Sequence, residues 1–307
     1  MNILVTGGAG YIGSILVPEL LEAGHKVTVI DNFMYRKPSL ANSISNPNLE
    51  LVYGDIRNQS LMKSLINKAD IVVPLAAIVG APACDKDPIQ ASSVNKDATI
   101  WLFNQLSSEQ QIIMPTTNSA YGSGDKNNYC DENSELKPLS LYAKDKVEVE
   151  KVLMNNPLAT SFRLATVFGV SPRMRLDLLV NNFMYRAMTD KFVILFEGHF
   201  KRNYVHVRDV TRAFRFAIDN TELVKGDIFN FGLSEANISK QELCEAIKKI
   251  IPEFTYLDAP LAKDPDQRNY IVSNEKIEGT GFKTSHSLDV GIQELIKGYM
   301  MIKNSRY

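Results

Sequence analysis

The amino-acid sequence predicts an α/β fold in which a doubly wound parallel sheet is followed by a smaller C-terminal α/β part. Through the first two-thirds of the chain, short apolar runs alternate with longer amphipathic stretches. Strand–helix alternation of this kind indicates right-handed βαβ units and a sheet that helices cover on both faces. The apolar runs also lack strict alternation with polar residues, as expected for strands that are buried on both sides.

The elements of the first two-thirds follow from their apolar patterns. We predict strands at residues 2–6, 25–30, 49–53, 70–75, 111–115 and 160–164, and helices at residues 12–23, 60–67, 91–106 and 141–154. Gly24 fits the C-terminal stop of the first helix, because glycine readily adopts the left-handed conformation found there.

The pattern changes after Gly169. Residues 204–207 and 228–231 resemble strands again, residues 239–250 form an amphipathic helix after the N-cap Ser239, and a last helix covers residues 291–302. We therefore predict a main domain made of residues 1–169 and 203–232. A smaller domain, residues 170–202 and 233–307, is expected to interleave with late strands of the main sheet.

Charge balance and cysteine distribution exclude several classes of protein. The 307 residues are 45% hydrophobic and carry a formal net charge of -1, so there is no basic excess for binding a nucleic acid. No stretch approaches the length of an apolar membrane span. The three cysteines and four histidines match no metal-ligand or redox spacing. Met1 leads directly into a strand instead of a signal peptide, and we expect a cytoplasmic protein without a metal site.

A glycine-rich turn joins the first strand to the first helix and predicts a dinucleotide site. Gly7, Gly10 and Gly13 permit a tight turn and close approach of the backbone to a pyrophosphate, which the start of the helix attracts. Asp31 ends the next strand, 18 residues beyond Gly13, close to the separation expected of a ribose-binding carboxylate. A carboxylate there repels a 2′-phosphate, so we predict a Rossmann domain that binds NAD in preference to NADP. The alternative is a glycine turn without a ligand.

Two further sequence features are typical of proton and hydride transfer. Tyr142 and Lys146 lie one turn apart on one face of a predicted helix, where the lysine can lower the pKa of the phenol. A phenolate can then take a proton from a substrate hydroxyl. Thr117 follows a predicted strand, at the edge of the sheet where ligands bind. An exposed helix face and a Ser/Thr turn are the corresponding structural alternatives.

These features combine with others into a family resemblance that covers nearly the whole chain. The matching residues are 6–13 (Thr-Gly-Gly-Ala-Gly-Tyr-Ile-Gly), Asp31-Asn32, Gly54-Asp55-Ile56, Leu75-Ala76-Ala77, Asn95, Thr117, Tyr142, Lys146 and the run 202–207 (Arg-Asn-Tyr-Val-His-Val). The sequence resembles the extended short-chain dehydrogenases/reductases, the NAD-dependent epimerase/dehydratase family of nucleotide-sugar enzymes. The resemblance implies that the main domain binds NAD and that the smaller domain binds the nucleotide sugar.

The resemblance also implies roles for individual residues. Tyr142 would be the catalytic base, Lys146 would hold the nicotinamide ribose, and Thr117 would orient the substrate hydroxyl. The cofactor would also be bound by Gly7, Gly10, Tyr11, Ile12, Gly13, Asp31, Asn32, Asp55, Ile56, Leu75, Ala76, Ala77 and Asn95. Relatives usually form homodimers through the helices predicted at 91–106 and 141–154, so we expect a homodimer.

Three stretches resemble one subgroup, the GDP-heptose 4-dehydrogenases of bacterial capsule pathways. They are residues 162–181, 74–82 and 264–268. This resemblance implies NAD-dependent oxidation of GDP-D-glycero-α-D-manno-heptose at C4, with a GDP-sugar as the substrate. The corresponding substrate-binding residues would be Asn118, Ser119, Arg173, Arg175, Asn181, Arg202 and Arg268. Arg202 matches a family arginine that binds the diphosphate, and the guanidinium group suits phosphate geometry.

The chain departs from the sugar-nucleotide dehydratases of this family at one important place. Those enzymes carry an Asp-Glu pair directly after the catalytic threonine, where this chain has Asn118 and Ser119. Neither side chain is a useful acid or base near neutral pH, so a 4,6-dehydratase is excluded on chemical grounds. The main prediction is therefore a 4-dehydrogenase. The alternatives are a 4-epimerase acting on a UDP- or GDP-hexose and a non-catalytic NAD-binding protein.

Overall fold

A computed structural model describes residues 1–122, 129–259 and 269–304 of the chain. The strands are β1 (Asn2–Thr6), β2 (Lys26–Asp31), β3 (Leu49–Tyr53), β4 (Ile71–Pro74), β5 (Gln111–Thr117), β6 (Tyr129–Cys130), β7 (Ala159–Leu164), β8 (Thr166–Phe168), β9 (Phe192–Leu195), β10 (Lys201–His206), β11 (Asp227–Phe231), β12 (Asn237–Ser239), β13 (Thr255–Asp258) and β14 (Ile271–Val272). The α-helices are α1 (Gly13–Glu22), α2 (Gln59–Ile66), α3 (Ala81–Lys86), α4 (Pro88–Ser92), α5 (Ala98–Phe103), α6 (Leu141–Leu153), α7 (Leu179–Thr189), α8 (Val207–Asp219), α9 (Thr221–Val224), α10 (Lys240–Ile250), α11 (Glu275–Gly279) and α12 (Leu288–Asn304).

The main sheet confirms the predicted fold class. Within the described residues it has seven strands in the order β11-β7-β5-β4-β1-β2-β3, and every neighbouring pair is parallel. The strand order reverses between β1 and β4, since the chain runs outward from β1 through β2 and β3 before it returns to β4. A crevice forms at such a switch point, beyond the carboxyl ends of the strands. The glycine turn after β1 opens into it.

Apolar cores lie in the C-terminal part and on both faces of the main sheet, where α2, α5 and α6 cover the face opposite α1. One core packs α1 and α8 against one face of the main sheet and includes Leu16, Val29, Phe162 and Phe214. A second core joins α7, α10 and α12 in the C-terminal part, around Met184, Leu243 and Leu295. The proposed division of the chain into two domains stays a prediction.

One late strand differs from its predicted position. The residues predicted as a strand at 228–231 join the main sheet as β11, but those predicted at 204–207 belong to β10, which pairs with β8 and β12 in a separate three-stranded sheet. Val207 begins α8 instead of ending the strand. The pattern of apolar residues indicates a buried strand but not the sheet to which it belongs.

The helix predicted at 91–106 is longer at its start and irregular in its middle. It begins at Pro88, whose ring suits the first helical position, and Asp87 caps it by accepting the backbone N–H of Gln90 at 3.0 Å. Residues Ser93–Asp97 form a π-helical turn, after which α5 continues to Phe103. Such insertions leave no mark on helical periodicity, and they occur frequently at functional sites.

Candidate active site

The glycine turn is packed so closely that a side chain at Gly7 or Gly13 would clash with neighbouring backbone atoms. Gly7 has φ +66°, and a Cβ atom there would lie 2.6 Å from the Cα atom of Ala76 after β4. A Cβ atom on Gly13 would lie 2.5 Å from the carbonyl oxygen of Gly8. The Gly10 N–H donates to the Gly7 carbonyl at 3.0 Å, which closes the turn. The backbone of the turn is therefore exposed to the crevice without intervening side chains, as a pyrophosphate requires.

A cavity lies directly against this turn and collects most of the predicted cofactor residues. Its walls include Gly7, Gly10, Asp31, Asn32, Asp55, Ile56, Leu75, Ala76 and Ala77. A cavity wall that combines glycine backbone with carboxylates suits a pyrophosphate joined to an adenosine. The residues present therefore fit the pyrophosphate and adenosine portion of NAD.

The two carboxylates of the cavity are held in different ways. Asp31 accepts the N–H of Ala9 at 3.0 Å and the N–H of Phe33 at 2.8 Å, so the end of β2 is fixed to the glycine turn. Each carboxylate oxygen still has a lone pair for a ribose hydroxyl. Asp55 forms a bidentate ion pair with Arg57, with 2.9 Å and 2.6 Å contacts, and this hydrogen bonding lowers the pKa of Asp55.

Some predicted cofactor residues lie behind the cavity wall. Asn95 is fully buried in the π-helical turn, where its amide accepts the N–H of Ile78 and donates to the Ile78 carbonyl, both at 2.8 Å. It therefore shapes the wall through Ile78, which lines the cavity. Ile12 packs against the core beneath the turn, at the start of α1. A cofactor contact by either side chain stays a prediction.

Tyr11 connects the glycine turn to the segment after β8. Its buried hydroxyl donates to the Gly169 carbonyl at 2.7 Å, and Asn181 donates its amide to that hydroxyl at 3.2 Å. Burial raises the pKa of Tyr11 well above its usual value. The Asn181 amide also donates to the Arg175 carbonyl at 2.9 Å. Tyr11 and Asn181 thus hold two parts of the site together, and ligand binding by either stays a prediction.

Thr117 stands at the carboxyl end of β5, where the strand is two residues longer than predicted. Its hydroxyl accepts the Ser119 N–H at 3.1 Å and donates to the Ser119 hydroxyl at 3.0 Å, so it caps a short 3-10 helix, Asn118–Tyr121. The Ser/Thr turn considered for this position is therefore present. Asn118 is completely buried, and neither amide atom has a hydrogen-bond partner among the described residues.

Helix α6 packs against this 3-10 helix. Tyr142 is half-buried near the start of α6, and Lys146 lies one turn later with only 3% of its surface exposed. Burial lowers the pKa of Lys146 to about 8, and the neighbouring Asp145 opposes this shift. The structure thus brings Thr117, Tyr142 and Lys146 to one end of the sheet.

The predicted substrate arginines do not share one location. Arg173 stacks on Tyr35, a residue of the cofactor cavity, with its guanidinium carbon 3.4 Å from the ring centroid. Arg175 is 14% exposed and forms an ion pair with Asp177. Arg202 is buried on β10, opposite Ile238 of β12. Arg268 lies outside the described residues.

Sequence reasoning missed several residues of the cavity. Met34, Tyr35, Arg57, Gln90 and Val94 all line it. Met34 and Tyr35 follow Asp31 in a loop without periodicity, so only their distance from Asp31 could have indicated them. Arg57 could have been found from its spacing, since Asp55 and Arg57 stand two residues apart.

Comparison with known proteins identifies the family. The profile described as the NAD dependent epimerase/dehydratase family matches residues 3–232 of the chain. The chain belongs to this family. NAD is accordingly its cofactor, and the predicted preference for NAD over NADP agrees with this assignment.

Relatives of the family that match along the whole chain act on nucleotide sugars. The chain is 28% identical to a UDP-N-acetyl-alpha-D-glucosaminuronate decarboxylase from Bacillus cytotoxicus, over 98% of each protein. It is 25% identical to a UDP-glucose 4-epimerase from Yersinia pestis, over 94% of each. The structure of a UDP-glucose 4-epimerase from Thermotoga maritima with UDP-glucose superimposes with a TM-score of 0.86 at 26% identity, and covers 99% of this chain and 100% of that one.

The chain is therefore an NAD-dependent enzyme that modifies nucleotide sugars. Within the described parts of the chain, no helix is long and apolar enough to cross a membrane. No group of three or more His, Cys, Asp or Glu side chains converges as a metal site in those parts either.

Proposed function

We propose that this enzyme oxidises the C4 hydroxyl of a UDP-hexose to a ketone and then returns the hydride to the opposite face, as a nucleotide-sugar 4-epimerase. The observation that carries this proposal is the arrangement of Tyr142 and the buried Lys146 on one face of α6. They lie near Thr117, which is followed by Asn118 and Ser119 instead of an acidic pair. The named 4-epimerase relatives favour this reading over net oxidation.

Each side chain has a separate task in this reaction. Tyr142 takes the proton from the C4 hydroxyl as the carbonyl forms and gives it back on the return step. Lys146 stabilises the phenolate of Tyr142 by charge proximity. The Thr117 hydroxyl, which donates to Ser119 in the structure, donates instead to the substrate and orients the reacting oxygen. NAD, when bound, supplies the hydride acceptor.

The residues after Thr117 limit the chemistry to hydride and proton transfer. Water elimination needs an acid and a base beside the sugar, and Asn118 and Ser119 supply neither near neutral pH. The Asn118 amide has no hydrogen-bond partner among the described residues but is completely buried, so a sugar hydroxyl would reach it only after neighbouring atoms move. A buried amide without a partner is costly, and ligand binding would relieve that cost.

A second candidate is net oxidation of GDP-D-glycero-α-D-manno-heptose at C4. It rests on the sequence resemblance of residues 162–181 to GDP-heptose 4-dehydrogenases, which stays a prediction because the relatives reported above are UDP-sugar enzymes. In both candidates the diphosphate would be held by Arg202 and Arg268, as the family resemblance implies. The two reactions share the oxidation step and differ in the fate of the hydride.

Product analysis with a panel of substrates tests the proposal. The purified protein is incubated with UDP-glucose, UDP-N-acetylglucosamine and the GDP-heptose, while proton NMR follows the sugar and ultraviolet absorbance follows NADH. We expect the C4 epimer of a UDP-hexose without accumulation of NADH, and a loss of about 10²- to 10⁴-fold in rate for Tyr142→Phe. A 4-keto GDP-heptose formed together with NADH would establish the second candidate instead.

A further inference from the structure

The loop between Asp31 and Ser39 borders the cofactor cavity in a strained conformation. Phe33 has φ +48° and Arg36 has φ +50°, and these two residues flank Met34 and Tyr35. Left-handed conformations of non-glycine residues cost free energy and persist only where the surroundings enforce them. Both flanked residues line the cavity, so the strained segment forms part of the cavity wall.

Contacts with neighbouring segments hold the two ends of this loop, and its middle is closed by bonds within the loop, from the Met34 N–H to Asn32 at 3.1 Å and from the Arg36 N–H to the Phe33 carbonyl at 2.9 Å. The Phe33 N–H donates to Asp31 at 2.8 Å, and the Ser39 hydroxyl donates to the Ala9 carbonyl at 2.7 Å. The ring of Phe33 stacks on Tyr53 at a centroid distance of 6.4 Å. Tyr35 lies between these anchors and is 47% exposed.

Arg173 makes the contact that covers the middle of the loop. Its guanidinium carbon lies 3.4 Å from the centroid of the Tyr35 ring, which is the geometry of a strong cation–π pair. Arg173 therefore lies against a residue of the cavity wall, four positions after Asp31.

The segment that carries Arg173 is fixed to the glycine turn. The Ser171 hydroxyl donates to the Tyr11 carbonyl at 2.7 Å and lies 2.9 Å from the Ser14 hydroxyl. Tyr11 in turn donates to the Gly169 carbonyl. Arg173 therefore follows, by two residues, the buried Ser171, which is fixed to the glycine turn.

We propose that Arg173 is a cofactor-retaining residue, which stacks on Tyr35 and holds the strained loop closed over the adenosine portion of NAD. This role differs from the substrate contact expected from the sequence. It rests on the NAD cofactor of the family and not on the identity of the sugar. Loss of the stack would let the loop open and release NAD faster.

Cofactor release measures this directly, without a substrate. Holoenzyme loaded with NADH is mixed with excess NAD, and the decay of protein-bound NADH fluorescence gives the dissociation rate. A cation–π pair of this kind predicts that Arg173→Ala and Tyr35→Ala each raise the rate about 2- to 30-fold. The double variant is expected to release NADH no faster than either single variant, because both remove the same contact.

Matched variants separate this role from general damage. Tyr35→Phe keeps the aromatic ring and is expected to release NADH at the wild-type rate. Lys37 is exposed in the same loop, and Lys37→Ala, which removes its charge, is expected to leave the rate of NADH release unchanged. Thermal melting midpoints of all variants are compared with the wild type. The proposal is overturned if Arg173→Ala retains NADH like the wild type, or if the two single effects multiply in the double variant. If Arg173→Ala raises the KM of the substrate and leaves NADH release unchanged, Arg173 binds the sugar nucleotide, as the sequence predicted.

Discussion

The ammonium group of Lys146 is a buried charge one helical turn from Tyr142. Only 3% of the residue is exposed, and the loss of hydration lowers its pKa to about 8. At neutral pH the group is still mostly protonated, and it can stabilise the phenolate of Tyr142. A modest rise in pH removes that charge, so residue 146 links the activity of the enzyme to pH.

The first prediction concerns the alkaline limb of the pH profile. Because neutral Lys146 no longer stabilises the Tyr142 phenolate, kcat/KM is expected to fall as the pH rises through about 8. Steady-state rates on the confirmed substrate measure this. Lys146→Arg is the control, since arginine stays charged and moves the limb to higher pH. An unchanged limb in the arginine variant would contradict the assignment.

The second prediction concerns the cost of the buried charge. Below pH 8 Lys146 is protonated in both the folded and the unfolded state, and the folded state bears the full cost of burying its charge. Between pH 8 and 10.5, the ordinary pKa of lysine, the folded state loses the proton first and this cost decreases. Lys146→Met is therefore expected to raise the free energy of unfolding at pH 7 by up to about 3 kcal/mol. Urea unfolding at equal NAD concentrations measures this. A gain that grows between pH 8 and 10.5 would contradict it.

At the scale of elements, Glu150 joins one end of helix α6 to the sheet, and the other end carries Tyr142 and Lys146. Tyr142, Lys146 and Glu150 are spaced by four residues and share one face. Glu150 accepts the hydroxyls of Thr116 at 2.8 Å and Ser161 at 2.7 Å. It also pairs with Arg163 at 2.7 Å, and both side chains are 5% exposed. Thr116 immediately precedes Thr117, so this network sets the position of α6 relative to the end of β5.

The third prediction tests this network. Glu150→Ala leaves the buried guanidinium of Arg163 without its partner, and the free energy of unfolding is expected to fall by about 3–5 kcal/mol. The double variant Glu150→Leu with Arg163→Met removes both charges and is expected to recover most of that loss. Chemical denaturation of the three proteins measures both values. Equal losses in the single and double variants would contradict the assignment of the loss to an unpaired Arg163 charge.

The sequence was most informative where one residue type satisfies a local requirement. The glycine turn, Asp31 and the Tyr142–Lys146 spacing were predicted because each depends on neighbours in the chain. The stack of Arg173 on Tyr35 and the pairing of Glu150 with Arg163 depend on segments that are distant in sequence. The sheet partner of β10 and the π-helical turn were also missed, because apolar periodicity carries neither register nor helix type.

At the scale of the whole molecule, surface apolar residues bear on assembly. Ile89 on α4 is 85% exposed, and α4 and α5 lie beside α6. The family resemblance implies that these helices form the interface of a homodimer. An isoleucine exposed at such a place would be buried by the partner subunit.

The fourth prediction is that the enzyme is a homodimer in solution and that Ile89→Asp dissociates it. An exposed position tolerates this change with little loss of fold stability, so the monomer is expected to stay folded. Light scattering across a range of concentrations gives the mass, and fluorescence of the single tryptophan, Trp101 on α5, reports the environment of the helices. A monomeric wild type would contradict the prediction, and so would a dimer that Ile89→Asp leaves intact.

The position of β11 has a consequence for the synthesis of the chain. β7 is complete at Leu164, but the strand that covers its open edge begins at Asp227. At about 5–20 residues per second, the ribosome needs about 3–12 s to make the residues between them. During that time the edge of β7 is a template for pairing with other chains. Nascent chains are therefore most in need of a chaperone while the segment between β7 and β11 is being translated.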